Sequence, residues 1–168
     1  MPFTVEDGSG IEDANAYGTV EECDTYQEER GRTAWATLGE VAKQGYIIEG
    51  STYLDTTFQP IGDIKSTEQG MLWPRVNAMD RQGRYYNDQV PRRWKEACFE
   101  LAWLARSGPL IASETEASIK KVKAGPVEVE FKDGNKVQEG DKFAWVNRLV
   151  AGLTKGQAGG PNVSLLKA

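Results

Sequence analysis

The stretch from 90 to 110, "VPRRWKEACFELAWLARSGPL", sets the strongest limit on what this chain can fold into. Pro91 suits the first turn of a helix, where the N–H it lacks has no intrahelical partner. Trp94, Cys98, Leu101 and Ala105 then recur at helical spacing, supported by Ala97, Ala102 and Leu104, and Gly108-Pro109 stops the run. A helix this apolar needs other elements packed around it. The expected fold class is therefore mainly α: a small helical bundle of about four helices with an inserted β-hairpin and extended N- and C-terminal arms. At 168 residues, the chain has the length of one domain and enough material for a sizeable core.

The remaining elements follow from local signals. Residues 1–18 are polar and Gly-rich with scattered apolar anchors, which suggests an extended arm. Thr19 and Glu22 form a capping box, Val20, Cys23 and Tyr26 the stripe behind it, and Gly31 the stop of a helix over about 19–31. Thr37 and Glu40 repeat the box for a helix over about 38–57, with Leu38, Val41, Gly45, Ile48 and Thr52 on one face and Ile47 and Leu54 flanking. Gly39, Gly45 and Gly50 each weaken it by about 1 kcal/mol, so it depends on tertiary packing, and they leave room for a close helix contact. The third helix runs over about 91–107. Between 118 and 138 the period changes to two: "SIKKVK" and "VEVEF" alternate as half-buried strands do, and "KDGN" after them is a turn signal. This suggests a hairpin or small sheet with Lys120, Lys121 and Lys123 on one strand and Glu128 and Glu130 set to face them. A last amphipathic helix over about 141–154 shows Phe143, Val146, Val150 and Leu153 on one face. The body is thus 19–155, followed by a flexible tail, 156–168, that carries the apolar residues Val163, Leu165 and Leu166 beyond a Gly-rich linker. Leucines with no core of their own are candidates for insertion into a neighbour.

Composition removes most chemistries. The sequence has no histidine, so Ser-His and Cys-His nucleophile pairs are excluded, and zinc would need Cys23, Cys98 and carboxylates. The two cysteines lie far apart on apolar helix faces, where packed thiols are the expected reading. No phosphate-binding loop, zinc-protease motif or calcium loop is present, and "EDGSG" near the start precedes no strand-to-helix step. Adjacent acids such as Glu21/Glu22 and Glu28/Glu29 point about 100° apart on a helix and read as solvated charge. We expect no catalytic residues, no cofactor and no metal. There is no secretion-type leader and no apolar run long enough to span a membrane, which points to a reducing cytosol.

The net charge of −5 argues against a generic DNA-coating protein, but the charge is unevenly spread. Residues 1–31 hold nine acids against Arg30, whereas residues 75–95 hold six bases (Arg75, Arg81, Arg84, Arg92, Arg93 and Lys95) against Asp80 and Asp88. Such a chain is able to meet copies of itself acid against base, although two ordinary solvated faces would look the same. The basic region, "LWPRVNAMDRQGRYYNDQVPRRW", also holds Trp73, Tyr85, Tyr86 and Trp94. Arginines pair with phosphates and aromatics stack on bases, so a nucleic-acid surface is one reading. Arginine and tyrosine are equally the residues of protein interfaces, and a purely structural loop is a third reading. Trp94 belongs to the helix stripe, Trp73-Pro74 is a pair that pins loops to cores, and Gly83 marks a turn that would scatter the arginines. Arg75, Arg81, Arg84, Tyr85, Tyr86, Arg92 and Arg93, with Val163, Leu165 and Leu166, are the candidate interface residues.

"TVEECDTYQEERGRTAW", "YLD" at 53–55, "MLWPR" at 71–75, the 90–110 stretch and "VKAGPVEVEF" at 122–131 come in an order that resembles a family of tailed-phage head–tail connector, or adaptor, proteins. Members of that family often carry the label of DnaT-like single-stranded-DNA-binding proteins. The resemblance covers roughly residues 4–153, and none of its motifs is catalytic. It implies a helical core with a small β element and a homo-oligomeric ring of about twelve copies. That ring would dock under the portal protein at the virion neck, after assembly in the host bacterial cytoplasm. Tail or other neck proteins would attach to it, and double-stranded genomic DNA would pass through without sequence-specific binding. The alternative is a single-stranded-DNA-binding protein of replication.

Overall fold

Thr19 begins the first helix as the sequence predicts. Its hydroxyl accepts from Glu22 N at 3.1 Å while the Glu22 carboxylate accepts from Thr19 N at 3.0 Å, which opens α1, Val20–Glu28. A single turn, α2 (Thr33–Ala36), and a long helix, α3 (Glu40–Thr57), follow. Two short strands, β1 (Asp63–Ile64) and β2 (Arg75–Val76), pair antiparallel with Asp63 opposite Val76. Helix α4 (Arg92–Ala105) is followed by the paired strands β3 (Lys123–Ala124) and β4 (Val127–Glu128), and then by α5 (Ala144–Val150). The structure, a computed structural model, describes residues 2–111, 123, 124, 127, 128 and 143–155.

The protein is mainly helical, with five helices and a small antiparallel hairpin among the described residues. The hairpin expected over 118–138 is represented by β3 and β4, whose register sets Lys123 against Glu128 and Ala124 against Val127. The rest of that span, including Lys120, Lys121 and Glu130, lies outside the described residues, as do 141–142 and the tail from 156 onward.

Helix α4 is the centre of the bundle. Trp94, Ala97, Cys98, Leu101 and Ala102 are fully buried, and the helix packs against α3, α1 and α5. Gly50 makes the α3 contact possible: a Cβ there would stand 2.7 Å from the Cys98 carbonyl oxygen. The glycine that weakens α3 as an isolated helix thus permits its tertiary packing. Gly39 and Gly45 have nothing near them.

The face of α3 differs from the expected one. Lys43, Ile47, Gly50, Ser51 and Leu54 point inward, whereas Val41 is 83% exposed and Gly45 and Thr52 face solvent. Two buried polar residues explain the difference. Lys43 Nζ pairs with Asp24 Oδ2 at 2.8 Å, and Ser51 Oγ accepts from Tyr17 N at 3.2 Å and lies 3.2 Å from Cys98 Sγ. A stripe chosen by hydrophobicity passes over both. The second capping box is also absent: Gly39 is the N-cap, and Thr37 Oγ1 donates to Ala34 O instead.

The N-terminal segment, read from the sequence as an extended arm, is irregular and lies along the body of its own chain. Val5 bridges Ala16, and Ala14, Ala16 and Tyr17 are buried. The buried carboxylate of Glu6 accepts from Gly8, Gly10 and Ile11 N–H groups at 2.8–2.9 Å. The glycines of "EDGSG" reach φ +103° and +87° to do this, so the loop's donors hold an internal anion. At the other end Val146, Val150 and Leu153 are buried as expected, Phe143 stacks on Tyr53, and Ile61 N bonds to Leu153 O at 2.9 Å.

Candidate functional site

The arginine- and aromatic-rich stretch divides into a buried half and an exposed half. In the buried half, Trp73 and Trp94 are 0% exposed and meet at 6.0 Å between ring centroids, with Tyr17 and Phe58 edge-on to Trp94. The Trp73-Pro74 peptide is cis. Arg75, 8% exposed, donates to the carbonyls of Leu72 at 3.1 Å and Gly62 at 2.9 Å, and burial lowers its pKa. Asp55 on α3 fastens this loop to the bundle: its carboxylate accepts from Tyr17 O–H and from Leu72 N at 3.1 Å. Desolvation pushes the Asp55 carboxyl up to about 6, against the pull of those two hydrogen bonds. These contacts tie the Trp-Pro loop to the bundle.

In the exposed half, Met79 bridges Tyr85 across an antiparallel pair closed by Arg81, Gln82 and Gly83. Gly83 takes φ +78° at the turn, as the sequence suggests. Asp80 organises this tip from inside. Its carboxylate accepts from Gln82 N at 2.9 Å, Arg84 N at 3.0 Å, Arg84 Nε at 2.8 Å and Tyr86 O–H at 2.9 Å. Desolvation opposes the charge, yet the bonds from Arg84, Tyr86 and Gln82 hold the carboxyl down at about 2. On the outside are Met79 (49% exposed), Tyr85 (62%), Gln82, the outer side of the Arg84 guanidinium, and Arg81, which has no ion-pair partner among the described residues.

The candidate residues are therefore not one surface. Arg75 is interior, Arg84 is tied to Asp80, Tyr86 packs on Trp73, and Arg92 pairs with Glu96 at 2.8 Å. Arg81 and Tyr85 share the tip, while Arg93 is exposed on the first turn of α4. Val163, Leu165 and Leu166 lie outside the described residues.

Acid and base regions also meet within the chain. Lys95 pairs with Glu22 at 2.8 Å, and the buried Glu100 receives Arg32 at 2.8 Å, Arg30 at 3.3 Å and the Tyr26 hydroxyl at 2.8 Å. Sequence reasoning missed Glu100, Asp55 and Asp80. The available signal for Glu100 was an acid inside the most apolar helix, with Arg30 and Arg32 in the link that follows α1. A groove of about 440 Å³ opens beside this cluster, between α1, α2 and the start of α3. Asp24, Gln27, Glu28, Arg32, Trp35 and Lys43 line it. Trp35 Nε1 donates to Asp24 Oδ1 at 2.7 Å, and Glu28 makes no ion pair among the described residues.

Cys23 and Cys98 are free, buried thiols, and burial pushes Cys98 up to about 12, far from a nucleophile's range. Among the described residues no three acids or cysteines gather to hold a metal, and no helix is long and apolar enough to cross a membrane. No curated protein and no solved structure matches the chain. One family model does, over residues 1–168, and its description is putative DnaT-like ssDNA binding protein. A match of that extent places the chain, from the capping box of α1 through the Trp-Pro loop to α5, in the DnaT-like family.

Proposed function

We propose that this chain is a structural docking subunit: a head–tail connector of a tailed-phage virion, working as a ring of about twelve copies. In this reading it sits at the neck, docks under the portal, lengthens the DNA channel and offers a surface to the tail. One observation carries the proposal. Where the chain is richest in arginine and aromatic residues, both tryptophans are fully buried, Arg75 is interior, and Arg84 and Arg92, though open to solvent, each face a carboxylate of their own chain. A stacking platform for successive bases uses several open rings along a basic groove, and here the tip offers the single open ring of Tyr85 beside Arg81. Met, Tyr and Arg left outside on a rigid turn make the composition of a protein interface. The net charge of −5 suits a channel past which phosphates must slide. Electron microscopy of the protein mixed with portal particles tests the reading: a ring added beneath the portal is expected, and bare portals would contradict it.

A second reading, single-stranded-DNA binding, is favoured directly by the family description. Its surface would be the tip with Arg81, Tyr85 and the nearby Arg93. It requires binding whose log K falls steeply with log salt.

A further inference from the structure

We infer that the Met79–Tyr85 tip of one copy seats in the groove between α1, α2 and α3 of the next, with Arg81 meeting Glu28. The contact rests on the docking reading above and gives it an address. Both halves carry charge that the described residues leave unanswered. Arg81 has no acidic partner among the described residues, and neither does Glu28 on the groove rim have a basic one, although its neighbours Asp24 and Lys43 are paired. Glu21, Asp24 and Glu28 share one stripe of α1 at spacings of three and four; Asp24 neutralises the groove's Lys43 and Glu100 its Arg32, which leaves Glu28 and Glu21 to an approaching guanidinium. Behind that edge Trp35, buried in the core and held by Asp24, backs the groove from the inside.

The tip is built to enter such a site. The carboxylate of Asp80 fixes the turn from within, so little conformational freedom is lost on docking. Met79 and Tyr85 flank Arg81 with exposed apolar surface, the residue types that anchor in interface pockets.

The two features also lie apart on the bundle. Lys43 lines the groove in the first turn of α3, whereas the tip leads through Tyr86, Trp73 and Trp94 to Phe58 at the far end of that helix. Fifteen residues of rise separate Lys43 from Phe58, roughly 22 Å. Docking between a tip and a distant groove is therefore head to tail, and head-to-tail contacts close into rings or run on as filaments.

Cysteine pairing tests the contact without requiring stable assembly. Cys23 and Cys98 are buried, so engineered thiols react alone. A mixture of Arg81→Cys and Glu28→Cys proteins under mild oxidation is expected to give at least fivefold more mixed dimer than a mixture of Arg81→Cys with Glu68→Cys, an exposed position outside the groove. Charge reversal supplies the second measurement. Arg81→Glu and Glu28→Arg should each weaken self-association tenfold or more by sedimentation, and mixing the two should restore it. Mixed dimer at the control level, or reversal with no effect on association, overturns the contact. If rings still form beneath the portal, the docking reading survives that result. If single-stranded oligonucleotide protects Arg81→Cys from modification and a second copy does not, the tip belongs to nucleic acid and the contact is wrong.

Discussion

Arg75 and Arg81 stand six residues apart in one basic stretch and do opposite things. Arg75 is interior, its Nη1 and Nη2 donating to the backbone carbonyls of Leu72 and Gly62 that tie the Trp-Pro loop together. Arg81 stands at the end of a turn whose own acid, Asp80, is already occupied by Arg84. The aromatics divide in the same way, with Trp73 and Trp94 in the core and Tyr85 outside. Composition makes the whole stretch look like a single surface, but its position in the fold buries one half in the core and leaves the other exposed.

The largest test of that division is Trp94→Ala. Removing a fully buried indole beside Trp73, Tyr17 and Phe58 should cost about 3–5 kcal/mol in urea unfolding. A loss no larger than that of Tyr85→Ala would erase the distinction. Next is Glu100→Gln, which leaves Arg30 and Arg32 facing a neutral amide. Both arginines keep some solvent, so a loss of about 2 kcal/mol is expected, with m unchanged.

Third comes a pH dependence centred on Asp55. Burial raises its carboxyl from 3.8 to about 6, so between those values the native chain holds a proton that the unfolded chain has released. Stability should therefore increase as pH falls from 8 through 6, by on the order of 1 kcal/mol down to pH 5, and level off below about 4. Tyr17, Arg75 and the Cys98 thiol are ionisable groups around it, and none of them titrates in that window. Asp55→Asn should flatten the slope in a series of thermal melts. Asp80 works in the opposite direction: its lowered pKa stabilises the tip above pH 4, and that support is lost as pH falls towards 2. The smallest effect belongs to the exposed half, where Tyr85→Ala and Arg81→Ala should stay within about 0.5 kcal/mol of the parent.

Helix α4 was legible because its period, its opening proline and its closing Gly-Pro all agree, and α1 because the capping box is a local rule. The turn at Gly83 was legible for the same reason. The inward face of α3 was not. Lys43 and Ser51 are buried for partners, Asp24, Tyr17 and Cys98, that lie far away in sequence. Asp55, Asp80 and Glu100 escaped notice for a related cause: a carboxylate's role depends on the donors that the fold brings to it, and spacing along the chain does not reveal those donors. The separation of Arg75 from Arg81 was expected in kind from the turn, but which of them would be interior required the β1–β2 pairing.

The most direct measurement is a titration of the whole protein with a fluorescent single-stranded oligonucleotide across a series of salt concentrations, with Arg81→Ala and Arg93→Ala alongside. If tips serve protein contacts, affinity at cellular ionic strength should be weak or absent, and the two variants should change it little. Tight capture that declines steeply with added salt, and collapses when those two arginines are removed, would contradict the account and give the tip to nucleic acid.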